Sequence, residues 1–335
     1  INKKNNKKTE IKFDEEAYQL NFNEGAEYAS NLIRVNYSAM NVPATVYQYN
    51  LKTEKRKKLK QQKIPAGFNK NKYETKRVFA KSHDGKKIPI SILKLKTTKN
   101  NAPTLLYGYG SYGMSMAPSF SVARLSLVDR GMVFAIAHIR GGMEKGRQWY
   151  LDGKLRKKKN TFKDFIKSAK FLKNSKISGD LTIHGGSAGG LLIGSTINMA
   201  PKLFKSAVAD VPFVDVLNTI LDASLPLTPP EWEEWGNPIL NKNDFLNIQS
   251  YSPYDNVRKQ EYPSLLVTAG LTDPRVTYWE AAKWVARLRE LKTDKNDIFL
   301  KTNMDAGHAG KAGRYHQIDE TAFMYSFILN SHNLL

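Results

Sequence analysis

The sequence predicts an α/β fold in which a short antiparallel β segment precedes a doubly wound, mostly parallel sheet. Three observations support this prediction. From residue 103 onward, apolar segments the length of buried strands alternate with amphipathic helical segments, as βαβ units do. Residues 18–63 instead alternate apolar and polar side chains with no helix between them, which is typical of antiparallel strands. A glycine-rich turn at residues 185–190 joins an apolar strand directly to a helix.

Six buried strands are predicted in the larger region: TLLYGY, VFAIAHI, LTIHG, SAVADVP, SLLVTAG and IFLKTNM. The helical segments among them include TFKDFIKSAKFLKN, GGLLIGSTINMA, YWEAAKWVARLRELK and ETAFMYSFILN. A doubly wound sheet binds its ligands beyond the carboxyl ends of its strands. A functional site is therefore expected at those ends.

The amino-terminal region divides into two parts. We expect residues 1–17, which are polar and lysine-rich, to form a basic tail. We expect residues 18–66 to form an antiparallel meander, which is too small to be stable without a partner layer. Residues 67–335 would then form the larger domain, opening with two strands around the turn HDGKK.

The formal net charge of +21 raises the question of a nucleic-acid partner, because clustered Lys and Arg side chains release counterions from phosphate. The densest basic runs occupy residues 2–8, 52–63 and 154–160, so they are scattered, and they contain few aromatic side chains. We interpret them as solvated surface and predict no nucleic-acid partner.

The chain contains no cysteine, which excludes disulfides, a thiol nucleophile and a thiolate metal site. This composition fits a reducing compartment, and we expect a cytoplasmic location. No segment approaches the roughly 18 apolar residues that a membrane-spanning helix needs, so no membrane partner is expected. The sequence predicts neither a metal nor another cofactor.

Ser187 is the strongest candidate for a catalytic residue. It lies in Gly-Gly-Ser-Ala-Gly-Gly, directly after the LTI strand and before a helix. Flanking glycines permit the strained turn that projects a serine hydroxyl above a sheet, the nucleophile elbow of α/β-hydrolases. A tight strand-to-helix crossover is the alternative interpretation.

A serine hydroxyl needs a base, and in this fold an acid and then a histidine follow the serine along the chain. Asp273 follows the strand SLLVTAG, and His308 follows the strand IFLKTNM. The chain order therefore predicts a triad of Ser187, Asp273 and His308. Asp210, at the end of the strand SAVADVP, is the alternative acid, whereas His184 is expected to point to the opposite face from Ser187.

Acyl transfer also needs hydrogen-bond donors for the developing oxyanion. The backbone N–H of Ala188, the residue after the nucleophile, is the usual first donor. The segment LLYGYGSYG occupies the position from which the second donor comes. It fits either a backbone folded close to the site or a glycine-rich turn with packing tyrosines.

Nine segments in order carry a family resemblance: YGYGSYG, ARLSLVDRG, IRGG, WYLDGKLRKKKNTF, GGSAGG, DVPFVDV, EWEEWGNP, YSPYDNV and AGHAGKAGR. Together they resemble the oligopeptidase B branch of the prolyl oligopeptidase family of serine peptidases. The resemblance runs from about residue 20 to the end. It implies an α/β-hydrolase fold and cleavage of short peptides after Arg or Lys.

The resemblance also implies roles for individual residues. Tyr109 would donate its phenolic hydroxyl to the oxyanion. Glu231 and Glu233 would pair with the cationic P1 side chain, which is chemically sensible because a carboxylate can bind a guanidinium through two parallel hydrogen bonds. Phe213 would pack against the same cation, and Arg275 would bind the substrate backbone on the unprimed side.

Two departures from the family pattern bear on specificity and domain content. Ala117 and Ser119 occupy positions at which members that favour paired basic residues carry acids, which puts a basic P2 preference in doubt. The family also has an amino-terminal β-propeller, of which residues 18–66 resemble only the last blade. The chain is thus expected to be a fragment or to use a separate propeller.

The sequence is also compatible with two other functions. A carboxylesterase or amidase would use the same fold on small molecules. An inactive basic scaffold would need a broken triad, and the residues of the predicted triad are all present.

Overall fold

The computed structural model describes residues 5–23, 27 and 29–335. In this part of the chain the strands are β1 (Tyr18–Asn23), β2 (Leu32–Ala39), β3 (Val42–Asn50), β4 (Arg56–Gln61), β5 (Tyr73–Lys81), β6 (Lys87–Leu95), β7 (Ala102–Tyr107), β8 (Val133–Ala137), β9 (Ser178–Gly186), β10 (Ser206–Asp210), β11 (Ser264–Gly270) and β12 (Ile298–Asn303). The α-helices are α1 (Val122–Val128), α2 (Arg147–Leu151), α3 (Lys159–Asn174), α4 (Ala188–Met199), α5 (Val216–Leu221), α6 (Thr228–Trp235), α7 (Lys242–Gln249), α8 (Tyr278–Leu291) and α9 (Arg314–Ser331).

An eight-stranded sheet in the order β12-β11-β10-β9-β7-β8-β6-β5 forms the centre of the larger region. The strands from β12 to β8 in this order pair in parallel, whereas β6 pairs with β8, and β5 with β6, in antiparallel fashion. One core cluster lies between the sheet and α3, α4 and α8, and another contains side chains of α1 and α9. Both faces are covered, which confirms the predicted α/β-hydrolase fold.

The amino-terminal strands form a separate antiparallel sheet in the order β1-β2-β3-β4. A small cluster of buried side chains on this sheet includes Tyr37, Ala39 and Val42. The register of β2 against β3 shifts between Tyr37 and Ala39. This order is the meander that the alternating pattern of apolar and polar residues predicts.

The last residues of the predicted tail pack against both sheets. Phe13 stacks on Tyr37 with 4.2 Å between ring centroids. Glu16 accepts a hydrogen bond of 2.8 Å from the backbone N–H of Arg77, in β5, and Ala17 is buried. Phe13, Glu16 and Ala17 of the expected basic tail thus contact the strands, whereas residues 1–4 lie outside the described part of the chain.

Short helices account for most of what the hydrophobic pattern did not reveal. The helices α1, α2, α5 and α7 span eight residues or fewer, too few turns for a helical period to stand out. Their place in the fold comes from tertiary packing. In the described residues, no helix is long and apolar enough to cross a membrane, and no group of three or more His, Asp or Glu side chains could hold a metal ion.

Helix α4 is the most deeply buried helix in contact with the sheet. Its residues from Ala188 to Ile197 are all buried, so it packs on every side. Side chains from this helix approach the first glycine after β7, where a Cβ atom at Gly108 would lie 2.8 Å from Leu192 and 2.6 Å from Phe165. This close packing brings the residues after β7 next to the amino-terminal end of α4.

Replacing Leu192 with alanine should lower the free energy of unfolding by about 2–5 kcal/mol, because a fully buried leucine leaves a cavity that the surroundings fill only in part. Denaturant unfolding followed by circular dichroism would measure the loss. Leu240, which is 84% exposed, provides the matched control, and Leu240→Ala should change stability by no more than about 0.5 kcal/mol. Equal losses in the two variants would contradict the packing described here.

Candidate active site

Ser187 occupies a sharp turn between β9 and α4. Its backbone has φ 56° and ψ −122°, a conformation that is strained for any residue with a side chain. Four hydrogen bonds hold this backbone: the N–H of Ser187 donates to the carbonyl of Asp210 at 2.8 Å, and its carbonyl accepts from Gly190 at 2.8 Å, from Phe213 at 3.0 Å and from Leu191 at 3.3 Å. The turn therefore has the form of the predicted nucleophile elbow.

The glycines around Ser187 allow neighbouring backbones to approach closely. A Cβ atom at Gly185 would lie 2.4 Å from the carbonyl oxygen of Gly189, and one at Gly190 would lie 2.3 Å from the Pro212 Cβ. Neither contact could relax by moving a flexible side chain. Gly185 and Gly190 are thus required by the crossing of β9, α4 and the segment that follows β10.

His308 and Asp273 form a hydrogen-bonded pair on two loops after β11 and β12. The distance from His308 Nδ1 to Asp273 Oδ2 is 2.7 Å. The other carboxylate oxygen, Oδ1, accepts the backbone N–H groups of Arg275 at 2.8 Å and Val276 at 3.1 Å. Burial alone would raise the pKa of Asp273, but these hydrogen bonds outweigh it and lower the pKa below its ordinary value. Asp273 is thus held as an anion that orients the imidazole.

Tyr109 lies beside Ser187 on the loop after β7, which we call the tyrosine loop (residues 108–113). Burial raises the pKa of the Tyr109 phenol to about 12, although the Ser187 hydroxyl, as a hydrogen-bond neighbour, partly opposes the shift. The phenol therefore remains a proton donor at neutral pH. No hydrogen bond joins Ser187 to His308 among the described residues, and catalytic hydrogen bonds of this kind often tighten only when substrate binds.

Ala188 is the first residue of α4. The first N–H groups of an α-helix have no acceptor within the helix, so the N–H of Ala188 is available to a ligand. Ala188, Ser187 and Tyr109 all line the same cavity, which has a volume of about 450 Å³. Two hydrogen-bond donors therefore border the position that a carbonyl oxygen bonded to Ser187 would occupy.

Glu231 lies in the wall of this cavity, on helix α6. Its Oε2 atom accepts hydrogen bonds from the Tyr112 hydroxyl at 2.9 Å and from the Trp235 indole N–H at 2.5 Å. Both donors bind the same oxygen, and Oε1 has no hydrogen-bond partner in the described part of the chain. Burial raises the pKa of Glu231, as expected for a carboxylate that lacks a positive partner.

Glu233 does not face the cavity. It is exposed, whereas Glu234 is buried and accepts hydrogen bonds from the Tyr112 backbone N–H at 3.0 Å and from the Tyr150 hydroxyl at 2.5 Å. Residues three apart share a helix face, and residues two apart do not. Of the two glutamates expected to bind the P1 cation, Glu231 therefore lines the cavity and Glu233 is exposed, and the second carboxylate on this side of α6 is that of Glu234.

Phe213 and Arg275 both line the cavity. Phe213 is buried, and its ring centroid lies 5.5 Å from that of Trp235. Arg275 is exposed at the rim, two residues after Asp273. Ala117 and Ser119, the two departures from the family pattern, are partly buried and are not among the residues that line the cavity.

The alternative acid Asp210 pairs with a different histidine. Its carboxylate lies 2.6 Å from His184 Nε2 and accepts a hydrogen bond from the Thr268 hydroxyl at 3.1 Å. His184 therefore makes a local contact on the neighbouring strand, consistent with the packing role that its position predicts. Asp273, rather than Asp210, orients His308.

Two buried charged residues near the site were missed by the sequence analysis. Glu280, on α8, lines the cavity and accepts the backbone N–H groups of Val214 and Asp215, each at 2.9 Å. Lys158, just before α3, donates to the carbonyl of Gly110 in the tyrosine loop. Their burial could not be read from the sequence, because Glu280 lies in an amphipathic helix and Lys158 in a lysine run that we interpreted as surface.

The sequence is similar to those of known proteins over nearly its whole length. A sequence profile of the prolyl oligopeptidase family matches residues 118–334. Dipeptidyl aminopeptidase BI from Pseudoxanthomonas mexicana is 49% identical over 325 residues, and Protease 2 from Moraxella lacunata is 44% identical over the same length. Each match covers 96% of this chain.

Solved structures show the same likeness. Oligopeptidase B from Leishmania major superposes with a TM-score of 0.91 at 45% identity, over 96% of this chain and 46% of that one. Oligopeptidase B from Trypanosoma brucei, solved with covalently bound antipain, gives the same TM-score and identity. The chain spans 45% of the length of the Pseudoxanthomonas relative and 47% of the Moraxella relative, about half in each case.

A fluorophosphonate probe should label the folded protein at Ser187, because the turn, the histidine and the two oxyanion donors together make that hydroxyl reactive. Peptide mapping by mass spectrometry would locate the label. Ser187→Ala should abolish labelling, whereas Ser175→Ala, at an exposed serine, should leave it unchanged. A label on another residue would contradict this assignment of the nucleophile.

Glu280 should make stability depend on pH. Burial raises the pKa of its carboxyl to about 7 from an ordinary value of 4.5, so the native protein holds this proton more tightly than the unfolded chain does. The wild type should therefore lose stability as the pH rises from about 4.5 through about 7. Thermal unfolding at a series of pH values should show a flatter profile for Glu280→Gln, whereas Glu290→Gln, at an exposed position on α8, should keep the wild-type slope. Superimposable slopes for Glu280→Gln and wild type would rule this out.

Proposed function

Because the chain belongs to the prolyl oligopeptidase family of serine peptidases, we propose that it hydrolyses short peptides after Arg or Lys. The reaction would proceed through an acyl-enzyme on Ser187. One observation carries the proposal: the strained serine turn, the His308–Asp273 pair and a cavity walled by Glu231 meet at one edge of the sheet. The two relatives named oligopeptidase B support the same activity.

In the proposed reaction, His308 accepts the hydroxyl proton of Ser187 while the serine oxygen bonds to the scissile carbonyl carbon. The carbonyl electrons move onto the oxygen, where the Tyr109 hydroxyl and the Ala188 N–H stabilise the negative charge. One such donor contributes about 3–4 kcal/mol to lowering the barrier. The C–N bond then breaks, and the proton on His308 goes to the leaving amine.

Hydrolysis of the acyl-enzyme repeats these steps with water as the nucleophile. His308 takes a proton from the water, whose oxygen bonds to the ester carbon. The ester bond breaks, Ser187 regains its proton from His308, and the peptide acid leaves. Asp273 stays ionised throughout and stabilises the imidazolium that forms in both halves of the reaction.

The charge and shape of the cavity support a cationic P1 side chain. A guanidinium or ammonium group entering beside Glu231 would meet its Oε1 atom, which has no hydrogen-bond partner among the described residues, in a partly buried site where screening is weak. Phe213 would pack against the cation from the wall. The exposed basic runs elsewhere in the chain lie in solvent and act only weakly at this distance.

A second candidate function is the removal of dipeptides from free amino termini. The name of the Pseudoxanthomonas relative, dipeptidyl aminopeptidase, states this activity for that protein, which is 49% identical to the present chain. Cleavage of a diarginyl amide only when its amino terminus is free would favour this candidate. Equal cleavage of the blocked amide would favour an endopeptidase.

An esterase acting on neutral small molecules is less compatible with the cavity. A partly buried carboxylate without a cationic partner is costly, and a neutral ester would supply no cation to Glu231. An inactive scaffold is opposed by the intact His308–Asp273 pair. Both alternatives predict that arginyl amides are poor substrates.

The amino-terminal sheet bears on which substrates reach the site. We propose that residues 18–66 correspond to the last blade of a β-propeller and residues 67–335 to the catalytic domain, since the relatives are about twice as long as this chain. A cytoplasmic location stays a prediction from the cysteine-free composition.

Glu231→Gln should lower kcat/KM for a blocked arginyl amide by about 100-fold, equivalent to about 3 kcal/mol, because it removes the charge that a P1 cation would meet. Hydrolysis of an alanine ester by the same variant should change by less than about threefold. Glu233→Gln is the matched control on the exposed side of α6, and it should behave as wild type with both substrates. Equal losses on the arginyl and alanine substrates would refute the P1 role of Glu231.

A further inference from the structure

Lys158 is a buried lysine close to the proposed oxyanion site. It lies in the turn between a short 3-10 helix (Leu155–Lys157) and α3, and only 1% of its surface is exposed. Lysine is almost never fully buried unless it is paired or hydrogen-bonded. The surrounding run KLRKKKN is otherwise mostly at the surface, so this one side chain has been turned inward.

The Lys158 ammonium donates hydrogen bonds to the tyrosine loop. Its Nζ atom donates to the carbonyl oxygen of Gly110 at 2.6 Å and to the Ser111 hydroxyl at 2.8 Å. It also lies 5.0 Å from the ring centroid of Trp235, within the range of a cation–π contact. Gly110 is the residue that follows Tyr109, and its carbonyl belongs to the peptide group between Gly110 and Ser111.

Helix α6 also holds the tyrosine loop. Glu234 accepts the backbone N–H of Tyr112, and Glu231 accepts the Tyr112 hydroxyl. Tyr112 has a positive φ of 58°, a strained conformation that persists only where surrounding contacts over-determine it. The Lys158 ammonium and two carboxylates therefore all bind the loop, which carries Tyr109 near its first residue.

We propose that Lys158 is a positioning residue. It keeps the Tyr109 phenol in the position relative to Ser187 that oxyanion binding requires. Catalytic donors must lie within about 0.5 Å of their productive position. Without the ammonium, the Gly110 carbonyl would be left in the interior with one hydrogen bond fewer, and the backbone that carries Tyr109 could shift. This inference rests on the function proposed above, in which Tyr109 stabilises the oxyanion.

The protonation state of Lys158 makes the inference testable. Burial lowers its pKa to about 8, and the nearby Glu234 carboxylate opposes this shift. The titratable groups around it are Glu234 and Glu231 on α6, Tyr112 in the tyrosine loop, Tyr150 on α2, Tyr251, and Lys154 before the 3-10 helix. Burial keeps the pKa of the three phenols above its ordinary value, so they stay protonated where Lys158 loses its charge.

The signs of the two pH effects differ. When Lys158 loses its proton, its hydrogen bond to the Gly110 carbonyl becomes weaker. We therefore expect kcat to fall as the pH rises through about 8. The native protein binds this proton less tightly than the unfolded chain does, so the same titration makes the fold more stable between about pH 8 and 10.5. A fall in kcat that is caused by deprotonation of Lys158 therefore cannot be attributed to unfolding of the protein.

The first experiment compares the pH dependence of kcat for a blocked arginyl amide in wild type and in Tyr109→Phe. Wild type should show an alkaline decline of several-fold, centred at about pH 8. Tyr109→Phe should have a lower kcat and no such decline, because the phenol that Lys158 positions is missing. If Tyr109→Phe keeps the wild-type kcat, the oxyanion role proposed above fails. If kcat falls but the decline persists, only the inference about Lys158 is overturned.

The second experiment tests whether Lys158 acts through Tyr109. Lys158→Met should lower kcat by about 10- to 100-fold and change KM by less than about twofold. Adding it to Tyr109→Phe should cost little more than Tyr109→Phe alone. Lys170→Met, at an exposed position on α3, is the control and should match wild type. Losses that multiply in the double variant would overturn the inference, and if Lys158→Met does not fold, the pH profiles of the first experiment decide the question alone.

Discussion

The backbone of Ser187 is the constraint on which the rest of the site depends. Ser187 has a strained backbone conformation. Its N–H donates to the Asp210 carbonyl at the end of β10, and its carbonyl accepts from the N–H of Phe213 in the segment that follows. The nucleophile and the aromatic wall of the cavity therefore share a single support. The glycines at 185 and 190 are a consequence, because any side chain there would separate the crossing backbones. A site that is fixed in this way needs little rearrangement when substrate binds.

Charges near the cavity matter more than the net charge of the chain. The carboxylates of Glu231 and Glu234 and the Lys158 ammonium all bind the tyrosine loop. These groups are partly or fully buried and interact over short distances with weak screening, whereas the surface lysines are surrounded by water and salt. A protein of strongly basic composition can thus present a locally acidic cavity, and its overall charge says little about what that cavity binds.

The parts of the site that could be predicted are those set by strand ends. Hydrophobic runs locate the strands, and parallel strands bring Ser187, Asp273 and His308 to one edge. It was harder to predict which face of a short helix is buried. Glu233 and Glu234 differ by 100° around α6, and this helix is too short for its apolar residues to show which side faces the core. The inward turn of Lys158 could not be predicted at all. It depends on a carbonyl and a hydroxyl 47 to 48 residues away in the chain, and local sequence does not encode such a contact.

The amino-terminal sheet ends in a strand of unusual composition. β4 reads Arg-Lys-Lys-Leu-Lys-Gln, and it pairs with β3 on one side only within the described residues. An open strand edge invites pairing with a second molecule, and closely spaced lysines oppose this because two such edges repel each other. This repulsion is screened by salt, so the lysines oppose pairing at this edge most strongly at low ionic strength. Part of the large positive charge therefore lies along the strand edge where pairing with a second molecule would begin.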